Sequence, residues 1–301
     1  RGQADLNHMT ARLAMGVVAE VVGLTNSSRD AMAHRIDTIL HANLDWDLTP
    51  AHIGRFIALQ WRMFAFWLLD VRPAIKARQV SPQNDLISHL LTKGYRGREI
   101  MAECITYGTA GMVTTQEFIV VAAWHFLEHP ELRQRYLSAK QEERYRILYE
   151  ILRIEPVVGH LYRRADSDLE VSVGDQAQTI PAGALIDLDV YAINVDARVA
   201  GEAPLSLDPD REIPRGVSDA VLGFGAGPHR CAGEFIAIAE SDIFLQKLLT
   251  LEGLELVENP QIRKNETIKG YELRHFIIRL TPEKQHRANR EFVPAENIPA
   301  G

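Results

Sequence analysis

Two of the 301 residues are cysteines, Cys104 and Cys231, and the second stands in a stretch whose residue types could do chemistry: LGFGAGPHRCAGEF, residues 222–235. Glycines at 223, 225, 227 and 233 let the backbone fold closely around a sulfur and approach a flat ligand. The loop leads into an apolar run that reads as a helix over roughly 232–250. Cys231 then sits at the positive end of a helix dipole, beside N–H groups with no intrahelical partner, and both effects favour the thiolate. His229 and Arg230 add cationic or donor groups suited to carboxylates. A thiolate among N–H donors with basic neighbours is the setting that a haem thiolate ligand requires. A small buried hydrophobe is the plainer reading of any single cysteine. A dinucleotide fingerprint is excluded, because Pro228 and Arg230 stand where its third glycine would fall. No C-x-x-C or paired Cys/His spacing around Cys231 suggests zinc.

The elements that must position this loop read as follows. Residues 4–24 carry apolar residues at helical spacing and stop at Gly23; 28–42 and 50–78 read as helical too. Within the latter, RFIALQWRMFAFWLLDVR (55–72) is interrupted by Gln60 and Arg62 and reads as a buried amphipathic helix, not a membrane span. SPQNDLISHLLTKG is a short helix with a Ser-Pro start and a glycine stop. The segment 97–132 is apolar on nearly every face at its centre, so it should cross the core. EERYRILYEILRIEP is a helix ended by Pro156, and HLYRRADSDLEVSV and QTIPAGALIDLDVYAIN then alternate like short strands. A proline-rich irregular stretch, 201–223, precedes the cysteine loop; hairpin-like strands end the chain before a polar tail at 283–301. The fold class is mainly α with a small β portion, in a single domain over 1–301.

A formal charge of −7 leaves no basic surplus for neutralising phosphates, which argues against nucleic acid as a partner. Two cysteines make no disulfide framework and fit a reducing, cytoplasmic compartment.

Phe224-x-x-Gly227-x-x-x-Cys231-x-Gly233 resembles the haem-binding signature of the cytochrome P450 family. That family also has a Glu-x-x-Arg on a helix well before the cysteine, and YEILRIEP supplies Glu150 and Arg153 on one helix face. Glu143/Arg146 and Glu212/Arg215 share this spacing, but only the 150/153 pair is followed by a proline and strand-like sequence. Arg211 in LDPDR stands where the family places a second arginine on the pair; Leu207 departs from its usual phenylalanine. AGMVTT (110–115) resembles the oxygen-activating stretch: Ala110, Gly111 and Thr114 match, and Val113 stands at the acid position. Gly111 and Thr114 also read as plain packing features, since threonine hydroxyls commonly bond back to the preceding turn. LYRRADSD resembles the segment whose arginine reaches a haem propionate, and its spacing to Asp168 favours Arg163 over Arg164. His229 is the matching donor to the other propionate.

The resemblance runs from the first helix to the final hairpin. Relatives carry further helices and a small β portion before the point matched by Arg1, so the chain is expected to be N-terminally incomplete. It implies haem b with Cys231 as axial ligand to iron, and Phe224, Gly225 and Gly233 shaping the loop against it. The implied reaction is a monooxygenation that inserts one atom of O2 into a small, largely apolar organic substrate of secondary-metabolite type. Electrons would come from a separate ferredoxin- or flavodoxin-type donor. Tyr107, Ala110, Met112, Val158 and His160 fall where relatives contact substrate. Val113 keeps two alternatives open: a peroxide-using or non-oxidative haem-thiolate enzyme, and a catalytically silent haem-binding protein.

Overall fold

The computed structural model describes residues 2–40, 50–174, 176–266 and 268–281, so the expected tail at 283–301 lies outside the described residues. A short strand β1 (Gln3–Asp5) leads into α1 (Leu6–Val22), α2 (Arg29–Leu40), α3 (Pro50–Phe66), α4 (Arg72–Val80), α5 (Leu86–Thr92) and α6 (Gly97–Glu128). Next come α7 (Pro130–Ser138) and α8 (Gln141–Ile154), then β2 (His160–Arg164), β3 (Leu169–Val173), β4 (Gln176–Ile180) and β5 (Leu185–Asp189). Two short helices, α9 (Val190–Asn194) and α10 (Ala197–Ala200), precede a long irregular segment. The chain closes with α11 (Glu234–Leu249), β6 (Leu254–Leu256), β7 (Gln261–Asn265), β8 (Gly270–Arg274) and β9 (Ile277–Leu280). The expected mainly α architecture with a small β portion is what forms.

The stretch of α6 from Met112 onward is apolar on nearly every face and must be wrapped, and α6 organises the molecule for that reason. Its first half packs with α1, α2, α4 and α5 around Val18, Met32, Ile36, Ile87, Cys104 and Met112. Its second half packs with α7, α8 and α11 around Ile119, Phe126, Tyr136, Ile147, Ile151 and Leu245. Val113 lies at the junction and packs against both clusters. Close approach of α1 to α6 depends on Gly111, where a Cβ would stand 2.8 Å from Val18 Cγ2.

Local signals set the helix ends. Asp5 caps α1 by accepting from the Asn7 amide at 3.0 Å, and Gly23 ends it in the left-handed region at φ 94°. The short helix α5 is capped by Asp85, which accepts from the Ser88 amide at 2.8 Å, so it starts four residues beyond the expected Ser-Pro.

Among the described residues the β portion is four small antiparallel sheets. β9 lies between β1 and β6, and β2 pairs with β5, β3 with β4, β7 with β8. The pairing of β1 with β9 (Ala4 opposite Ile278) ties the first residues to the last strand, a strand the helical pattern at the start of the sequence does not announce.

One expectation is overturned. The stretch 55–72 is not one buried helix: α3 gives way to a π-helical turn over Trp67–Val71, followed by α4. In α3, Leu59 and Phe66 are buried, whereas Ile53, Phe56, Ile57, Trp61 and Phe64 stay exposed. The physical reason is packing: α3 meets chiefly α2 and the π turn, which cover one narrow side of it.

Adding one methyl at the tightest helix contact tests this account. Alanine is ordinarily better than glycine inside a helix by about 1 kcal/mol. Gly111→Ala should instead destabilise by about 1–3 kcal/mol, because the new carbon overpacks Val18. Urea unfolding of the two proteins reads the sign, and a stabilised variant would show that α1 yields without cost.

Candidate functional site

The irregular segment before α11 is held by one buried ion pair on α8. Arg153 is fully buried and Glu150 nearly so. Arg153 Nε and Nη2 donate to the two Glu150 oxygens at 2.7 and 2.8 Å. Its remaining donors reach the carbonyls of Asn194 (3.0 Å), Pro204 (2.8 Å) and Ser206 (3.3 Å). Arg211 Nε adds a second cation to Glu150 Oε1 at 3.1 Å, and the Asp208 amide donates to the same oxygen at 3.0 Å. A buried pair survives only when its spare lone pairs and protons find partners, and here they do.

The two other Glu-x-x-Arg spacings do not pair internally. Glu143 accepts from Arg135, Arg146 lies 4.0 Å from Asp210, and Glu212 and Arg215 are exposed on the irregular segment.

Asn194 carries this network to the cysteine loop. Fully buried at the end of α9, it donates to the Arg153 carbonyl at 3.0 Å and accepts from the Leu222 amide at 2.9 Å. From Leu222 the loop turns through Gly225 (φ 69°) and Gly227 (φ 61°). At Gly225 a Cβ would also stand 3.2 Å from the His229 carbonyl oxygen. The Cys231 amide donates to the Phe224 carbonyl at 2.8 Å and closes the turn. Gly233 is the N-cap of α11, its missing Cβ 3.9 Å from Cys231 Sγ.

The thiol of Cys231 is free and exposed. Cys104 is its opposite: buried on α6, with its thiol pushed up to about 12 by burial, it is an inert core residue. His229 is exposed on the 3-10 turn before the cysteine. Arg230 does not add a free cation to the site as expected, because its guanidinium is paired with Glu234, Nε and Nη2 donating at 2.7 and 2.8 Å.

On α6, Tyr107, Ala110 and Thr114 follow at i, i+3 and i+7 and share one face; Tyr107 and Ala110 are exposed. The Thr114 hydroxyl donates to the Ala110 carbonyl at 2.7 Å. Two expectations change here. Gly111 does not open a groove on this face; its smallness is used against α1. Met112 is buried in the first-half core.

Val158 is half-buried after α8. His160 opens β2 and is half-buried. Its ring lies 3.0 Å from Asp187 and stacks near Tyr162, on the strand face opposite Arg163. Arg163 donates to the Tyr162 carbonyl, and Arg164 turns to the Gly183 carbonyl.

The sequence pattern does not disclose Glu240. This carboxyl on α11 is buried against α6 and hydrogen-bonded to Thr115, and its Oε2 has no partner. Burial pushes its pKa up to about 7. The signal available in the sequence was a glutamate inside the apolar run FIAIAESDIF, a pattern that a solvent-facing position also gives.

The donor set fits a haem bound through sulfur: one exposed thiol on a loop with two left-handed glycines, and basic side chains in His229 and Arg163 for carboxylates. Among the described residues no cluster of three or more His, Cys, Asp or Glu is placed to hold a bare metal ion. Among them, too, no helix is long and apolar enough to cross a membrane.

Comparison with known proteins bears on the same residues. The family model described as Cytochrome P450 matches residues 145–270, which hold the Glu150–Arg153 pair and the cysteine loop. Cytochrome P450 72A397 of Kalopanax septemlobus is 30% identical over 181 residues, covering 53% of this chain and 34% of that protein. Erythromycin C-12 hydroxylase of Saccharopolyspora erythraea is 26% identical over 268 residues, covering 86% of this chain and 62% of that one. The crystal structure of CalO2 superposes with a TM-score of 0.77 at 21% identity, covering 94% of this chain and 68% of that one. The chain thus spans about a third of the length of the plant relative and under two thirds of the bacterial hydroxylase.

Glu240 makes stability fall with pH. The folded carboxyl holds its proton up to about 7, whereas an unfolded one releases it near 4.5. Stability is therefore complete below the lower value and is lost as pH rises from there through the higher one, on the order of 3 kcal/mol in all. Glu240→Gln should flatten that decline in thermal unfolding between pH 4 and 8, values that bracket the shift.

Proposed function

The chain belongs to the cytochrome P450 family, and from that premise we propose that it is a haem-thiolate monooxygenase acting on a small, largely apolar organic substrate. The observation that carries this reading is the exposed Cys231 thiol, on a glycine-bent loop tied through Asn194 to the buried Arg153. The cofactor is haem b, and haem held by Cys231 supplies the oxygen-activating chemistry.

The chain's own residues do the remaining work. Cys231 would hold the haem iron through its sulfur, and the hydrogen bond from its amide to Phe224 fixes the backbone that carries it. Arg163 and His229 supply donors for the two propionates, the role their positions have in the family pattern. Tyr107, Ala110 and Thr114 form the α6 face offered to the ligand, with an exposed alanine as its low point. Val158 adds an apolar side chain after α8. Thr114 holds its hydroxyl on the Ala110 carbonyl, and the next residue, Thr115, is bonded to Glu240. Glu240 thereby keeps a protonated carboxyl against α6 near neutral pH, on a helix whose position 113 carries only methyl groups.

Electrons come from a separate ferredoxin- or flavodoxin-type protein, as the likeness to bacterial members of the family implies. Two free cysteines fit a cytoplasmic setting for this chemistry.

Val113 favours a second reading, a peroxide-using enzyme, for which an acid on α6 matters less. The decisive measurement has two arms. The reduced, carbon-monoxide-bound protein should give the strongly red-shifted Soret band of thiolate ligation; a band at the position of histidine-ligated haem overturns the assignment. Turnover should require reductase, ferredoxin and O2, and full turnover with hydrogen peroxide alone would select the second reading.

A further inference from the structure

The cysteine loop has a second attachment that the family pattern does not contain. Glu234, in the first turn of α11, is 3% exposed and accepts three hydrogen bonds. Arg230, the residue just before Cys231, donates from Nε to Oε2 at 2.7 Å and from Nη2 to Oε1 at 2.8 Å. The hydroxyl of Tyr149 on α8 donates to Oε1 at 3.1 Å. The Tyr149 ring also meets the Phe224 ring edge-on, with centroids 6.0 Å apart at 79°. Phe224 is the residue whose carbonyl receives the Cys231 amide.

These contacts close a ring. From Cys231 it runs through the backbone to Arg230, by ion pair to Glu234, by hydrogen bond to Tyr149, by ring contact to Phe224, and by backbone hydrogen bond back to Cys231. Tyr149 is the neighbour of Glu150, so the ring is anchored on the same helix as the buried Arg153 network.

We propose that Glu234 is a positioning residue that clamps the Cys231 loop to α8 and so fixes the direction in which the sulfur points. This rests on the reading of Cys231 as the axial ligand. Three features argue for a clamp over an incidental surface pair. The carboxylate is buried, whereas most measured weak ion pairs are exposed at both ends. The contact with Arg230 is two-pronged, which sets an orientation as well as a distance. The negative charge lies in the first turn of a helix, where the dipole favours it. The clamp also accounts for Arg230, whose charge is directed along the loop and away from any bound carboxylate.

The test uses two variants and two readouts. Glu234→Gln keeps the shape and removes the charge; Arg230→Gln, changed on a half-exposed side chain, keeps the question answerable if the buried variant folds poorly. The first readout is amide hydrogen exchange at Cys231, in the full chain with and without haem. Exchange should speed up by roughly tenfold in both variants, with α6 amides unchanged. The second is the reduced carbon-monoxide spectrum of the haem-loaded protein on warming, where the variants should lose the red-shifted band at lower temperature than the parent. A general loss of stability would speed exchange in α6 as well, and would overturn the proposal. So would an unchanged Cys231 exchange rate in both variants. If the parent itself lacks the red-shifted band, the axial-ligand reading falls, while the exchange data on the haem-free chain still decide whether the clamp exists.

Discussion

A guanidinium with no access to water sits behind the cysteine loop, and much of this half of the molecule is arranged so that it can stay there. Leaving a charge buried without partners costs several kcal/mol, so Arg153 must find an acceptor for every donor. Glu150 lies one helical turn away and supplies two oxygens, but three further acceptors are backbone carbonyls at 194, 204 and 206. The last two of those carbonyls belong to a segment with little regular structure of its own. The chain after α10 therefore takes its course from the needs of one side chain. Arg211, reaching the same glutamate from the far end of that segment, closes it into a fixed loop.

The consequence for the site is indirect and strong. Asn194 receives its position from the Arg153 carbonyl and passes it to the Leu222 amide, where the cysteine loop starts. Glu234 and Tyr149 give the other end of that loop a second hold on α8. A loop with left-handed glycines has a floppy backbone when isolated, and glycine loses the most freedom on ordering. Anchoring at both ends on one helix offsets that loss and leaves the free sulfur at the exposed crest.

Much of this was legible from residue order, and the rest was hidden for identifiable reasons. The helices show as 3.6-residue periodicity, and the hairpins as alternation around glycines and prolines; both are local signals. Cys231, Phe224 and the glycines form a compact pattern within one loop. Glu150 and Arg153 are three residues apart, although choosing them over Glu143/Arg146 required the strand-like sequence that follows. By contrast, Tyr149 and Glu234 meet across 85 residues, and Asn194 and Arg153 across 41, and no periodicity announces such meetings. The three residues of β1 become a strand only because β9 is there to receive them. Which neighbours Gly111 and Met112 meet was hidden, because a helix apolar nearly all round gives no clue to which face packs where. The exposed face of α3 was misjudged for the same reason in reverse: an apolar stripe reads as buried until the elements packed on it are known.

The valine at 113 then has a structural cause. It packs against both apolar clusters that α6 joins, so a carboxylate there would lose its hydration at the junction of two cores. Such a group would either take up a proton or loosen the contact between the two halves of the molecule. Glu240 meets that difficulty from the neighbouring helix. It too is buried, but Thr115 offers it a hydrogen bond, and it keeps its proton up to about 7 and so avoids burying a charge. An acid held neutral is compatible with a tightly packed α6, whereas an ionised one at 113 is not. Glu240 thus touches α6 from α11 without sitting between the two cores that Val113 joins.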